Sequence, residues 1–143
     1  MKKLLIAALS MALPFGATAQ SNNCLAINFA GDVYRLNVTT GTGTLLGNSG
    51  LTGTNCLCRS NDKWIAIDNN AGLYHISPAT GAATFVLQLD LGGNTDVRGI
   101  CNDVNLTKYV VVNNAISDQL WKVNSASGVG TLIGDMGSTT IQG

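Results

Sequence analysis

The sequence predicts an all-β fold made of three repeated four-stranded units, and two observations support this prediction. The first is composition: glutamate is absent, Lys, Arg and Gln are scarce, and Thr, Val, Ile, Asn and Gly are plentiful. This mixture is typical of pleated strands joined by tight turns, because the scarce residues are good helix formers. The second observation is an internal repeat, which determines how the strands are grouped.

Three segments align without gaps and define the repeat. They are YRLNVTTGTGTLLG at residues 34–47, YHISPATGAATFVL at residues 74–87 and WKVNSASGVGTLIG at residues 121–134. The leading aromatic residues are 40 and 47 positions apart. That spacing is typical of four-stranded propeller blades, so we expect blades at about 24–53, 54–95 and 96–137.

Each repeat predicts a β-hairpin. In the second unit, apolar and polar side chains alternate through Tyr74, His75 and Ile76, as a half-buried strand requires. Pro78 then presets φ for a turn, and Gly81 can adopt the positive φ that reverses the chain. A second apolar strand follows the glycine, which completes the hairpin.

Further strands are predicted before each hairpin. Residues 25–28, 65–68 and 110–113 form one set, and a shorter inner strand is visible at residues 55–58 and 98–101. One blade therefore consists of an inner strand, a second strand, a third strand and an outer strand.

The repeats resemble the blades of bacterial extracellular β-propellers, whose units read roughly LYAVN…LYRIDPATGAATLIG. Residues 72–84, GLYHISPATGAAT, match this pattern best. The first unit departs from it at Val38, which replaces proline, and the third has Ala126 and Ser127 in place of Ala-Thr. The resemblance implies a partial β-propeller and no particular activity, because such repeats occur in proteins of many functions.

The predicted strands do not complete a ring. The first unit lacks an inner strand, and residues 138–143 match only the start of the next one. Three blades are too few for closure, since propellers have about four to eight. The stop at Gly143 favours a piece of a larger propeller; the alternatives are a six-bladed ring of two chains and an open arc with bare edges. The expected partner is the protein itself or the missing blades.

Residues 1–19 predict a secretory signal peptide. Lys2 and Lys3 precede an apolar run at residues 4–13, and small residues at 17–19 precede a cleavage point before Gln20. The run is shorter than the roughly 20 residues that cross a bilayer. We therefore expect a secreted protein, periplasmic or extracellular, with no membrane span.

The charge of the mature chain argues against nucleic acid as a partner. Without the two leader lysines, six basic residues face eight aspartates, a formal net charge of −2. Such a chain has no basic patch to neutralise phosphates. The charges are scattered, so they do not indicate the sign of a ligand.

Four cysteines are candidate disulfide partners in an exported chain: Cys24, Cys56, Cys58 and Cys101. Cys56 and Cys58 are two residues apart on a strand and should share a face. Cys58 and Cys101 lie on the inner strands of adjacent blades. A thiolate metal site is the alternative, but the paired C-x-x-C spacing is missing. The sequence favours structural disulfides or buried thiols, leaves the pairing open and predicts no metal or cofactor.

Two polar features have ordinary structural interpretations. The Asp-Asn-Asn-Ala-Gly run at residues 68–72 could suggest calcium, but Asx-Gly clusters between strands are typical of hairpin turns. His75 occupies the position of Arg35 and Lys122 in the sister units. It is therefore expected at an exposed repeat position rather than as a general base.

Aromatic residues recur in register at Tyr34, Tyr74 and Trp121, and Trp64 and Tyr109 are expected to match Cys24. Repeated packing between blades explains this pattern better than carbohydrate stacking.

No catalytic set is evident, so the sequence favours a secreted non-catalytic module that acts in binding or assembly through its blade edges. A propeller-type lyase or hydrolase is an alternative, with its site in a central channel where the inner strands and their turns offer Arg59, Asp62, Asp96, Arg98, Asn102 and Asp103. A second alternative is an extracellular fibre or surface component joined by strand addition.

Overall fold

The computed structural model describes residues 24–54, 56–138 and 140–141, which contain eleven strands and no helix. The strands are β1 (Cys24–Ile27), β2 (Asp32–Leu36), β3 (Gly43–Asn48), β4 (Cys56–Ser60), β5 (Lys63–Ile67), β6 (Gly72–Ile76), β7 (Ala83–Gln88), β8 (Asp96–Asn102), β9 (Lys108–Asn113), β10 (Asp118–Val123) and β11 (Gly130–Asp135). The signal peptide predicted at residues 1–19 lies outside the described residues.

The strands form three antiparallel sheets in chain order. The first sheet contains β1 to β3, the second β4 to β7 and the third β8 to β11. The all-β, propeller-like prediction is confirmed. The first sheet has three strands rather than four. In the other sheets an inner strand, β4 or β8, pairs with β5 or β9, whereas no described residue pairs with the corresponding edge of β1.

The repeat has the same local geometry in all three sheets. The strand that begins each repeat carries a β-bulge just before its aromatic residue, at Val33/Tyr34, Leu73/Tyr74 and Leu120/Trp121. The turn after it ends on a glycine with positive φ whose N–H donates to the carbonyl four residues earlier, at Gly41, Gly81 and Gly128. Glycine tolerates this φ without steric cost, so the turn chemistry read from the sequence builds the hairpins.

Neighbouring sheets pack face to face on apolar layers. Leu25, Val33 and Leu51 meet Ala66 and Ile76 between the first and second sheets. A larger layer between the second and third sheets combines Cys56, Ile67, Ala71, Leu73, Leu89, Leu91, Val97, Val110, Val112, Trp121 and Val123. The second sheet therefore contributes one face to each of the two layers, and the first and third sheets contribute one face each.

The strand register corrects one sequence prediction. Cys24 pairs with Leu36 and Trp64 pairs with Ile76, but the residue in the same place in the third sheet is Lys108, which pairs with Val123. Tyr109 instead pairs with Lys122, as Ile65 pairs with His75. The expected match of Tyr109 with Cys24 was wrong by one residue, and the side chain of Tyr109 therefore lies on the opposite face of its sheet.

Candidate functional site: the two open sheet faces

The four cysteines are free thiols in the structure, so the expected disulfide stays a prediction. Cys56 and Cys58 share a face of β4, which is the face that meets the third sheet. Burial raises the pKa of the Cys56 thiol to about 12. The pKa of Cys58 is also raised, first by burial and then by the neighbouring Cys101. These two thiols are poor nucleophiles at neutral pH.

The cysteines on β4 and β8 occupy equivalent positions. Cys58 pairs with Ile65, and Cys101 pairs with Tyr109 in the next sheet. The Sγ of Cys58 lies 3.2 Å from Oδ1 of Asn102, in the space between the second and third sheets. Cys101 is exposed, and no further sheet lies beside the third sheet among the described residues.

The Asp68 carboxylate is occupied by its own turn. Its Oδ1 accepts hydrogen bonds from the N–H groups of Asn70 and Gly72, and its Oδ2 accepts one from the Tyr74 hydroxyl. These bonds leave little capacity for an ion. No group of three or more His, Cys, Asp or Glu side chains arranged for a metal occurs among the described residues. The turn interpretation of residues 68–72 therefore accounts for the geometry.

The channel candidates are not brought together into one constellation. Arg98 forms an ion pair with Asp96 at 2.6 Å, and this bond raises the pKa of the guanidinium. Asp103 Oδ1 accepts two backbone N–H bonds inside the β8–β9 turn. Arg59 and Asp62 are exposed at the β4–β5 turn. Each side chain has a local role or a solvent-facing position.

His75 was expected at an exposed position, but it is half-buried beside a small cavity of about 120 Å³, because residues of the third sheet lie against its side of β6. Lys63 and Lys108 also line this cavity, and Lys108 Nζ donates to Ser125 Oγ at 3.1 Å. The pKa of His75 is lowered, first by burial and then by the two lysine charges. The imidazole is therefore neutral at pH 7 and has no carboxylate bonded to it, an arrangement unlike a general-base pair.

Two of the three recurring aromatics, Tyr74 and Trp121, pack between sheets as their register predicted. Trp121 is 9% exposed in the layer between the second and third sheets. Tyr74 packs against the layer between the first and second sheets and meets Phe85 edge to face at 5.5 Å. Tyr34 has no described sheet in front of it and is half-buried, as Tyr74 is.

One open face belongs to the third sheet, and we call it the third-sheet face: Gly99, Cys101, Tyr109, Val111 and Leu120. These residues line an apolar groove of about 190 Å³. The equivalent residues of the second sheet are covered by the third sheet. Ile65 and Ile67, which correspond to Tyr109 and Val111, are each 1% exposed, and Leu73, which corresponds to Leu120, is 4% exposed. The third-sheet face is thus an apolar surface that no described sheet covers.

The other open face belongs to the first sheet, and we call it the first-sheet face: Cys24, Ala26, Tyr34 and Leu36. All four side chains are half-buried. Their counterparts in the third sheet, apart from Lys108, form part of the core against the second sheet, at Val110, Trp121 and Val123. The sequence repeat contained this information, but it became visible only when the strand register assigned each residue to a face.

Comparison with solved structures supports a propeller-like architecture. This protein is similar to one chain in the crystal structure of a nidogen/laminin complex, with a TM-score of 0.57 and 12% sequence identity. The matched protein contains a β-propeller. The match covers 78% of this chain and 47% of the other, so this chain spans about half of that length. At this identity the likeness shows the fold alone.

No family model and no curated protein matches the sequence. Within the described residues there is no helix of the length and apolarity needed to cross a bilayer.

Proposed function

We propose that this chain is a secreted, non-catalytic β-propeller module that binds or assembles with protein through its two open sheet faces. One observation carries the proposal: the residues of the third-sheet face are apolar, and the residues in the same places of the second sheet are buried by a neighbouring sheet. Tyr109, Val111 and Leu120 are half-buried on a face that no described sheet covers, and partly exposed apolar surface typically marks protein interaction sites. The structural neighbour also comes from a complex between proteins, which is compatible with this role.

The architectural part of the proposal is a blade of the bacterial extracellular propeller type. It is supported by the GLYHISPATGAAT motif together with the repeated bulge and glycine turn of all three sheets. Such a blade buries both of its faces, so an arc of three sheets offers one interface surface at each end.

Thiol accessibility in the exported protein tests whether the faces are covered. Cys24 and Cys101 lie on the two open faces, and the buried Cys56 provides an unreactive internal reference. The exported fraction is first kept with a mild reductant so that the thiols stay free, the reductant is removed, and a bulky maleimide is then added before purification. We expect slow labelling of Cys101 in the native fraction and fast labelling after dissociation with dilute urea.

The C101S variant identifies the Cys101 adduct in this experiment, and C24S identifies that of Cys24. Labelling of both thiols at the rate of a free cysteine in the native fraction would contradict the proposal, because covered faces exclude the reagent.

Export is tested separately by the N-terminus of the protein recovered outside the cytoplasm. We expect the recovered chain to begin at Gln20, because signal peptidases cut after small residues such as Ala19. Mass spectrometry of the intact chain measures this. Recovery of the full-length chain from the cytoplasm, with none exported, would contradict secretion.

Strand addition is a second candidate function, and the observation that favours it is the edge of β1 with which no described residue pairs. An edge strand with unpaired N–H and C=O groups is a template for another strand. Electron microscopy of the exported protein distinguishes the two functions. Extended fibres would support strand addition along the edges, and discrete particles would support docking of sheet faces.

A further inference from the structure

We infer that the partner at these faces is a second copy of this chain, whose first-sheet face docks on the third-sheet face in the register that already joins the sheets within one chain. The inference rests on the proposed function and adds the identity of the partner and the contacts at the joint. We call each contact between two neighbouring sheets a joint. The described residues allow four separate comparisons between the joints inside the chain and the proposed joint between two copies.

The apolar layers are the first comparison. At the joint inside the chain, Ile65, Ile67 and Leu73 of the second sheet are covered by the third sheet. The third-sheet face offers Tyr109, Val111 and Leu120 at the same places. The first-sheet face offers Ala26 and Leu36 where the third sheet inserts Val110 and Val123. Both halves of an apolar layer are therefore present on one chain, at opposite ends of the arc.

Close approach of glycines is the second comparison. Where the first and second sheets meet, a Cβ on Gly81 would lie 3.0 Å from both the Gly47 carbonyl oxygen and the Val33 Cβ. Gly41 occupies the place of Gly81 in the first sheet, and Gly134 occupies the place of Gly47 in the third sheet. Neither has an atom within 4 Å of its Cβ position. Docking would place Gly41 of the second copy against Gly134.

Polar contacts are the third comparison. Arg35 Nη2 donates to the Pro78 carbonyl across the first joint at 2.7 Å. Lys122 has the place of Arg35 in the third sheet, and Val38 has the place of Pro78 in the first sheet. Docking would bring the exposed Lys122 ammonium to the Val38 carbonyl of the second copy. The new joint would therefore keep its cation hydrogen-bonded, without a buried unpaired charge.

The cysteines are the fourth comparison. Cys58 contacts Asn102, which pairs with Lys108 across the third sheet. The positive charge of Lys108 is close enough to act on the pKa of the Cys58 thiol, in the direction that lowers it. At the new joint Cys101 has the place of Cys58, and Cys24 has the place of Lys108. Docking would therefore put Cys101 of one copy opposite Cys24 of the other, across a space that no described inner strand fills.

Stoichiometry agrees with a closed pair. A head-to-tail joint either closes a ring or continues as a filament. Two copies contribute six sheets, within the range of about four to eight that closes a propeller. A second copy is therefore sufficient to cover both open faces.

Complementation by cysteine cross-linking tests the inference. C24S retains only the Cys101 half of the new pair, and C101S retains only the Cys24 half. Each variant is treated alone and after mixing with a short bis-maleimide, which joins two thiols without any oxidant. We expect the mixture to give a two-chain product, whereas neither variant alone rises above background. C58S should cross-link like the unmodified chain.

A second pair of variants tests the face itself. L120D places a carboxylate at the centre of the third-sheet face, and V104D adds the same charge at a turn residue that is 97% exposed. L120D should lower the cross-linking yield of the unmodified chain about tenfold or more at a fixed concentration, since burying an unpaired charge is costly. V104D should leave the yield unchanged.

Three results would overturn the inference. The mixture could fail to cross-link, each variant could cross-link with itself as well as in the mixture, or L120D and V104D could behave alike. If cross-linking fails while Cys101 remains protected in the exported protein, another partner, such as further blades, covers the face. In that case the proposed function survives and the second copy does not.

Discussion

Aspartate has a specific structural use in this chain. Asp68, Asp90, Asp103 and Asp135 each accept a hydrogen bond from the backbone N–H two residues later. The aspartate side chain has the length that makes this Asx turn, and glutamate carries one methylene more. The absence of glutamate therefore agrees with a chain in which half of the eight acidic residues build turns. These aspartates contribute to the fold rather than to a binding or catalytic site.

His75 gives a prediction at the residue scale because it is the only histidine in the chain. Its pKa is lowered from 6.5 in the folded protein, by burial and by Lys63 and Lys108. The unfolded chain therefore binds more protons just below that pH, so the free energy of unfolding should fall as pH decreases from about 7 to about 5. Urea denaturation across this range and an NMR titration of the imidazole measure both effects.

The H75Q variant is the control for this prediction, since glutamine is polar and does not titrate. We expect its free energy of unfolding to vary less with pH over the same range. A pKa at or above 6.5, or an unchanged pH dependence in H75Q, would contradict the packing described around His75.

At the scale of elements, the hairpin turns both reverse the chain and join the sheets. Gly81 reverses the second-sheet hairpin with a φ of 76° and also packs on Gly47 and Val33 of the first sheet. Gly41 has nearly the same conformation, with a φ of 73°, but nothing lies within 4 Å of its Cβ position. Substituting alanine at each glycine therefore distinguishes the free energy lost to backbone strain, which both positions share, from that lost to a steric clash, which only Gly81 has.

We expect G81A to destabilise the fold more than G41A, by about 1–3 kcal/mol, because the two variants impose a similar backbone strain but differ in their surroundings. Only the methyl group that G81A introduces would press on a neighbouring sheet. Urea denaturation of both variants, at a dilution where the chain is single, gives the difference. Equal destabilisation would show that the Gly81 turn does not pack on the first sheet.

The hairpins were predictable from sequence because their signals are local. The glycine turns and the alternation in residues such as 74–76 depend only on nearby residues, and the structure places β6 and β7 where the repeat predicted them. The register of β9 was not predictable, because residues 108–113 include four consecutive apolar residues with no alternation to choose a face. Pairing with β10 decides it, which is why Tyr109 was misplaced.

The inner strands show the same limit. Residues 55–58 and 98–101 were identified as short strands, and the structure extends both, to β4 and β8. Their sequences do not show which side chains will face a neighbouring sheet. The candidate site depended on that information, because the third-sheet face combines residues from β8, β9 and β10 that are distant in sequence.

At the scale of the whole molecule, the described residues form three sheets with two internal joints, and no described sheet covers the outer face at either end. Each internal joint buries an apolar layer, and the open ends present the same two kinds of surface. Hydrophobic burial at the ends would therefore stabilise any arrangement that covers them. The proposed head-to-tail pair covers both ends with the same set of contacts.

The mass of the assembled protein in solution tests this account most directly. Sedimentation equilibrium of the exported chain over a wide dilution series measures it, with L120D and V104D as the matched variants. We predict a mass of two chains for the unmodified protein and for V104D, and a shift toward one chain for L120D. A folded single chain at every concentration, with the same mass for all three proteins, would contradict the account.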